Sequence, residues 1–262
     1  MKAAASHGAI LMSLILVGFA SFAVGTCEVR DEPIVISSDY EFTRENGVVA
    51  GGGTSDDPYI IDGWSIDAVF HNYGIRIEHT SRYFVIRNVR IMGAAKAGIF
   101  LSYVRNGRIE QSSLDSCWIG IVLSFCTLNR ISSCSAVDCS DGIHLYFSKA
   151  NQIFDNQLNG NDTAVWLDGS NENEILRNVI TDNAMGAYLE LGSEGNLLYD
   201  NVFVDNVHAA HSDALNHWDC KERGNYWSGY RGLDANEDGI GDAPYVIRSD
   251  GDQDSFPLLT LP

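Results

Sequence analysis

The chain has 262 residues, 45% of them hydrophobic, with 17 Lys and Arg against 35 Asp and Glu. That apolar content excludes a disordered chain. The formal charge of −18 argues against nucleic acid or an anionic membrane surface, both of which need a basic footprint.

Residues 1–26 read as a secretory signal. Lys2 precedes an apolar stretch from Ala9 to Ala23, and small residues follow up to Thr26. The stretch is short for a full membrane span, and no second run of spanning length follows. The expected mature protein is secreted, periplasmic or cell-surface, without a stable transmembrane span after cleavage. Cys27 raises a lipid anchor, for which Thr26 is a poor preceding residue.

From residue 34 a repeat takes over. Gly74-Ile75-Arg76-Ile77, Gly98-Ile99-Phe100-Leu101, Gly120-Ile121-Val122-Leu123 and Gly142-Ile143-His144-Leu145 share one pattern, continued by Ala164-Val165-Trp166-Leu167 and Gly186-Ala187-Tyr188-Leu189. Two further apolar series keep step, at Ile109, Ile131, Ile153, Ile175 and Leu198, and at Leu114, Ala136, Leu158, Ile180 and Phe203. Each period of about 22 residues thus carries three short β-branched segments separated by Asn, Asp, Ser and Gly, which is strand-and-turn chemistry. The predicted fold is all-β, a right-handed parallel β-helix with three strands per coil. Residues 34–230 form the solenoid and 231–262 an acidic capping segment.

Turn positions also align. One column reads Ser112, Cys134, Asn156, Asn178 and Asn201, another Cys117, Cys139, Asn161, Asn183 and Asn206. Asn in such a column can bond the next coil while tolerating a left-handed backbone. Cys117 and Cys139 sit one coil apart, which suits either a disulfide or two small buried thiols replacing ladder Asn.

Strand alternation sends one residue of each first strand outward, giving Arg76, Phe100, Val122, His144, Trp166, Tyr188 and His211. The neighbouring outward column reads Glu78, Ser102, Ser124, Tyr146, Asp168, Glu190 and Asp213. The later coils therefore pair aromatic His144, Tyr146, Trp166, Tyr188 and His211 with acidic Asp168, Glu190 and Asp213. The aromatics suit a ligand such as a sugar chain, with Trp166 and Tyr188 forming one extended platform. Because the carboxylates repel uronates, neutral or aminated glycans are the expected ligands. The carboxylates are also the candidates for general acid and base catalysis, although no basic residue accompanies Asp168 and Glu190 to neutralise a sugar carboxylate.

Near the C-terminus, Asp234-Ala235-Asn236-Glu237-Asp238-Gly239-Ile240-Gly241-Asp242 follows a D-x-N-x-D-G-x-x-D pattern. Oxygens of Asp234, Asn236, Asp238 and Asp242, with the Ile240 carbonyl, would make a calcium loop, and Asp250, Asp252 and Asp254 would complete the shell. The same residues also suit a plain turn.

The repeat from Gly142 to Asn156 and from Ala164 to Asn178 resembles the NosD-type β-helix family. So do the entry stretch Gly51 to Trp64 and the closing stretch Gly224 to Tyr245. The resemblance implies an exported protein grouped with carbohydrate-binding and sugar-hydrolysis modules. It leaves three readings: a non-catalytic binding protein for carbohydrate or another extracellular ligand, a polysaccharide lyase, epimerase or hydrolase, and a copper-associated accessory protein. Copper would suit His208, His211, His217 and Cys220, although their spacing is irregular.

Overall fold

The computed structural model describes residues 27–248 and 251–262; the expected signal segment, together with Ser249 and Asp250, lies outside the described residues. The predicted architecture is the observed one. Three sheets of eight, eight and nine strands run along the molecule; within the repeats each strand pairs in parallel with its equivalents in neighbouring coils, and one end strand, Val48–Ala50, pairs antiparallel with Tyr59–Asp62. Registers are unbroken along the repeats: Ile99, Ile121, Ile143, Val165 and Ala187 pair in succession on the first sheet. Their side chains and those of the two companion series are fully or almost fully buried, so one apolar column fills the solenoid. A strand at Glu28–Arg30 pairs with Trp64–Asp67, so pairing begins a few residues before the expected start. Among the described residues no helix is long and apolar enough to cross a membrane.

Three corners close each coil, and the left-handed residue at a corner is the one immediately before the ladder position. Asp155, Arg177 and Asp200 have φ of 58°, 52° and 55°, and each is followed by an inward Asn. The ladder asparagines themselves are not left-handed, contrary to the expectation. Their task is hydrogen bonding. The backbone N and Nδ2 of Asn156 donate to Asn178 Oδ1 at 3.0 and 2.9 Å. Asn178 does the same to Asn201, and Asn201 to Asn225. A second ladder runs through Asn129, Asn151, Asn173, Asn196 and Asn216. Backbone groups at the corners would otherwise be buried without partners, so each rung removes a desolvation penalty of about 1–3 kcal/mol. Cys134 and Cys139 take rung positions, donating their N–H groups to Asn156 and Asn161. Cys117 and Cys139 are thiols with no bridge between them.

Both ladders end on the closing segment. Asp252 and Asp254 lie in a strand, Asp252–Asp254, that pairs antiparallel with Tyr245–Arg248. Both carboxylates are fully buried. Asp252 Oδ1 accepts from Asn216 N at 3.2 Å and from Trp218 Nε1 at 2.7 Å. Asp254 Oδ2 accepts from Asn225 N at 2.7 Å and Trp227 Nε1 at 2.8 Å, and Oδ1 from Phe256 N at 3.0 Å. Gly224 lets that carboxylate approach, since a Cβ there would fall on Asp254 itself.

Candidate functional site

The outward column of the first sheet assembles as alternation requires, because parallel pairing sets equivalent residues ~4.8 Å apart. His144 pairs with Trp166, Trp166 with Tyr188, and Tyr188 with His211. Their rings touch in series, but not as a common platform. His144 and Trp166 stack face to face, 4.6 Å apart and 2° from parallel, so each covers the other's face. Trp166 and Tyr188 meet at 64°. Trp166 Nε1 donates to Glu190 Oε1 at 3.1 Å, which fixes the indole's orientation. Stacking along the solenoid axis is the physical reason for the difference: rings repeating at the coil spacing gain more from each other than from lying flat on the sheet.

Of the three carboxylates, Asp168 and Glu190 are register neighbours. Asp213 leaves the column, its oxygens accepting from Gly192 N at 3.2 and 3.3 Å. Asp168 Oδ1 and His144 Nε2 are both buried without a hydrogen-bond partner. On its other side His144 presents Nδ1 to Asp141 Oδ2 at 3.6 Å. Burial, opposed by the His144 charge and reinforced by Glu190, holds the Asp168 carboxyl above its usual range.

A hollow on this sheet lies toward the earlier coils. A cleft of about 380 Å³ is lined by Tyr73, Lys96, Phe100, Trp118, Ser124, His144 and Tyr146, over a floor that includes Val122. Trp118 is 63% exposed. His144 and Tyr146, expected at the start of the ligand face, thus stand at one end of this cleft, and Trp166, Tyr188 and His211 continue beyond it. Lys96, Trp118 and Tyr73 were not singled out by alternation. They precede or open the strands, outside the central in-out pattern, yet the same step of 22 residues aligns Lys96, Trp118, Ser140 and Asp162.

One edge of the face carries a second aromatic series. His79, Tyr103, Phe125 and Phe147 occupy left-handed corners, with φ between 44° and 53°. Consecutive rings lie 5.1, 4.9 and 5.6 Å apart and within 11° of parallel. The series stops at Gly169, where a Cβ would stand 2.8 Å from the Phe147 ring. Stacking offsets the strain of left-handed aromatic residues.

The metal candidates are arranged for other tasks. In the acidic loop Asp234 accepts from Asp238 N at 3.1 Å and Gly239 N at 2.9 Å, Asp238 Oδ1 from Ile240 N at 2.9 Å, and Asp242 Oδ2 from Ala235 N at 2.8 Å. Asn236 Nδ2 donates to Asp238 Oδ2. Asp252 and Asp254, expected to complete the shell, face inward as ladder caps; Asp250 lies outside the described residues. His208 and His211 share the strand His208–Ser212 on the first sheet, whereas His217 bridges to Leu197 beside the second sheet and Cys220 bridges to Arg223. Among the described residues no group of three or more His, Cys, Asp and Glu gathers as a metal site.

Comparison with known proteins gives three findings. A family model described as "Periplasmic copper-binding protein (NosD)" matches residues 32–232. No curated protein matches the chain. A solved structure titled "The complex structure of XylC with xylose" is similar at 12% identity with a TM-score of 0.45, over 64% of this chain and 35% of that one, so the match spans about a third of that protein's length.

Proposed function

Because the chain belongs to the NosD family, whose members are described as periplasmic, we propose that it is an exported binding protein whose outer first sheet holds carbohydrate. The observation that carries this reading is the cleft walled by Tyr73, Phe100, Trp118 and Tyr146, into which Lys96, Ser124 and His144 bring polar groups. An apolar hollow with a few convergent polar groups is the usual form of a small-ligand site, and aromatic rings with adjoining hydroxyl-bonding side chains suit a sugar. From the cleft the ligand runs along the column toward Trp166, Tyr188 and His211, with Asp168 and Glu190 accepting from its hydroxyls.

Trp118→Ala is expected to weaken glycan binding by about 1–3 kcal/mol, the range of an aromatic anchor, without lowering the melting temperature, because the side chain is largely exposed. Isothermal titration with the tightest ligand of a glycan panel checks this. Unaltered affinity in both Trp118→Ala and Trp166→Ala would remove the site from this face.

A second reading, a polysaccharide hydrolase, lyase or epimerase, is favoured by one observation: Asp168 keeps a buried unpartnered oxygen beside Glu190. Its test is release of reducing ends or unsaturated products over the same panel, with Asp168→Asn and Glu190→Gln as controls.

Copper does not fit the described residues. His208 and His211 share one strand of the first sheet, whereas His217 bridges to Leu197 and Cys220 to Arg223. The acidic loop is held by its own carboxylates in the manner of a turn. Adding millimolar calcium to chelator-treated protein is therefore expected to leave the melting temperature unchanged; a rise of several degrees would restore calcium as a cofactor.

A further inference from the structure

Lys96 is the one formal charge in the wall of the cleft. None of the lining residues is Asp or Glu, in a chain that carries 35 of them. No ion pair reaches Lys96 among the described residues. The nearest cation in the outward column, Arg76, is already compensated by Glu78 at 2.6 Å and lies over the Tyr73 ring. An ammonium with no carboxylate beside it, at the mouth of a hollow with low-dielectric aromatic walls, focuses a positive potential that the rest of this protein opposes.

Along the same sheet the sign reverses. Three coils beyond the strand that follows Lys96, the column turns acidic at Asp168 and then Glu190. At ~4.8 Å per coil and ~3.3 Å per residue along the strand, three coils and the six-residue offset from Lys96 to the Asp168 position put the two roughly 24 Å apart, on the order of a tetra- or pentasaccharide. Between the two ends lie the buried unpartnered atoms His144 Nε2 and Asp168 Oδ1, close enough for the His144 charge to act on Asp168.

We propose that the cleft seats an acidic sugar, its carboxylate paired with Lys96, and that neutral or amino sugars of the same chain continue over Asp168 and Glu190. The inference rests on the carbohydrate reading and replaces the expectation of a ligand without uronates. The face selects a glycan of mixed character and fixes its direction. A wholly acidic chain meets repulsion at Asp168 and Glu190, and a wholly neutral one leaves Lys96 unused.

The test is titration with three tetrasaccharides: an alternating glucuronate–N-acetylglucosamine chain, tetragalacturonate and chitotetraose. The alternating chain is expected to bind tightest. Lys96→Gln is expected to lower its affinity about tenfold, the size of one charge-assisted contact, and to flatten its salt dependence. Chitotetraose affinity falls much less than that of the alternating chain in that variant, and Lys96→Arg retains most of the affinity for the alternating chain. Lys96 is exposed, so a melting curve matching the parent confirms that the fold is kept.

Failure separates cleanly. If Trp118→Ala weakens all ligands while Lys96→Gln changes the alternating chain no more than chitotetraose, the acidic-sugar inference falls and the carbohydrate reading stands. If none of the three binds, or if Trp118→Ala and Trp166→Ala leave all binding unaltered, both fall.

Discussion

Asp254→Ala is expected to lower the melting temperature by about 6–12 °C. The variant strands three donors, Asn225 N, Trp227 Nε1 and Phe256 N. Leaving buried donors unpaired costs about 1–3 kcal/mol apiece. Partial relaxation brings the total to about 3 kcal/mol, and in a chain of this size each kcal/mol shifts the midpoint by about 2–4 °C. A thermal melt followed by circular dichroism reads the shift; a change under about 2 °C would mean that the closing strand does not hold the last coil.

The same residue makes stability depend on pH in a defined direction. Burial pushes the Asp254 carboxyl from 3.8 up to about 6, against the opposing pull of its hydrogen bonds. The folded state therefore holds this proton more tightly than the unfolded one. Its contribution is fully present below about pH 4 and is lost as pH rises through about 6. Other carboxylates titrate in that window as well, so the quantity to measure is the difference between parent and Asp254→Asn. The amide cannot ionise, and that difference should shift in the variant's favour on going from pH 4 to pH 7. The variant still loses one bond, because its NH₂ meets Phe256 N–H or its carbonyl gives up the other donors. A difference independent of pH would contradict the raised carboxyl.

Asn178→Leu is the second large effect, expected to cost about 3 kcal/mol. Asn178 is fully buried. Its Oδ1 accepts from Asn156 N and Nδ2, and its Nδ2 donates to Ile153 O at 3.0 Å and to Asn201 Oδ1. Leucine matches the volume but supplies none of these contacts, so Asn156 N and Ile153 O lose their partner in the core. The damage falls mid-solenoid, where two adjoining coils depend on the rung. Hydrogen exchange is expected to speed up at Asn156 and its neighbours while the first coils keep their protection. Uniform loss of protection would instead show that the coils unfold as one unit.

The fold was legible because a parallel solenoid repeats its register in the sequence. Once Ile121, Ile143 and Val165 were aligned, every other position followed. The site was legible in part. Alternation correctly turned His144, Trp166 and Asp168 outward, since those positions lie in the middle of strands. It could not give ring orientation, which depends on contacts between coils, and so Trp166 and Tyr188 were expected in one plane. It also passed over Lys96 and Trp118, which stand before the strand begins. Asp252 and Asp254 were misread for a different reason: a D-x-D spacing serves a cation or a row of N–H donors equally well, and only burial beside Trp218 and Trp227 decides between them.

The ladders are directional, and this gives the closing aspartates a meaning beyond local stability. From one ladder residue to the next the hydrogens run the same way, from the amide of one coil to the Oδ1 of the following one, so a further Asn would always present new donors to whatever came after it. Aspartate has acceptors alone. It receives the chain of hydrogens and offers none onward, much as a chain terminator ends a growing polymer. A solenoid is a template for its own extension, and a second molecule docking end-on at this pole would find the hydrogen-passing relay already discharged.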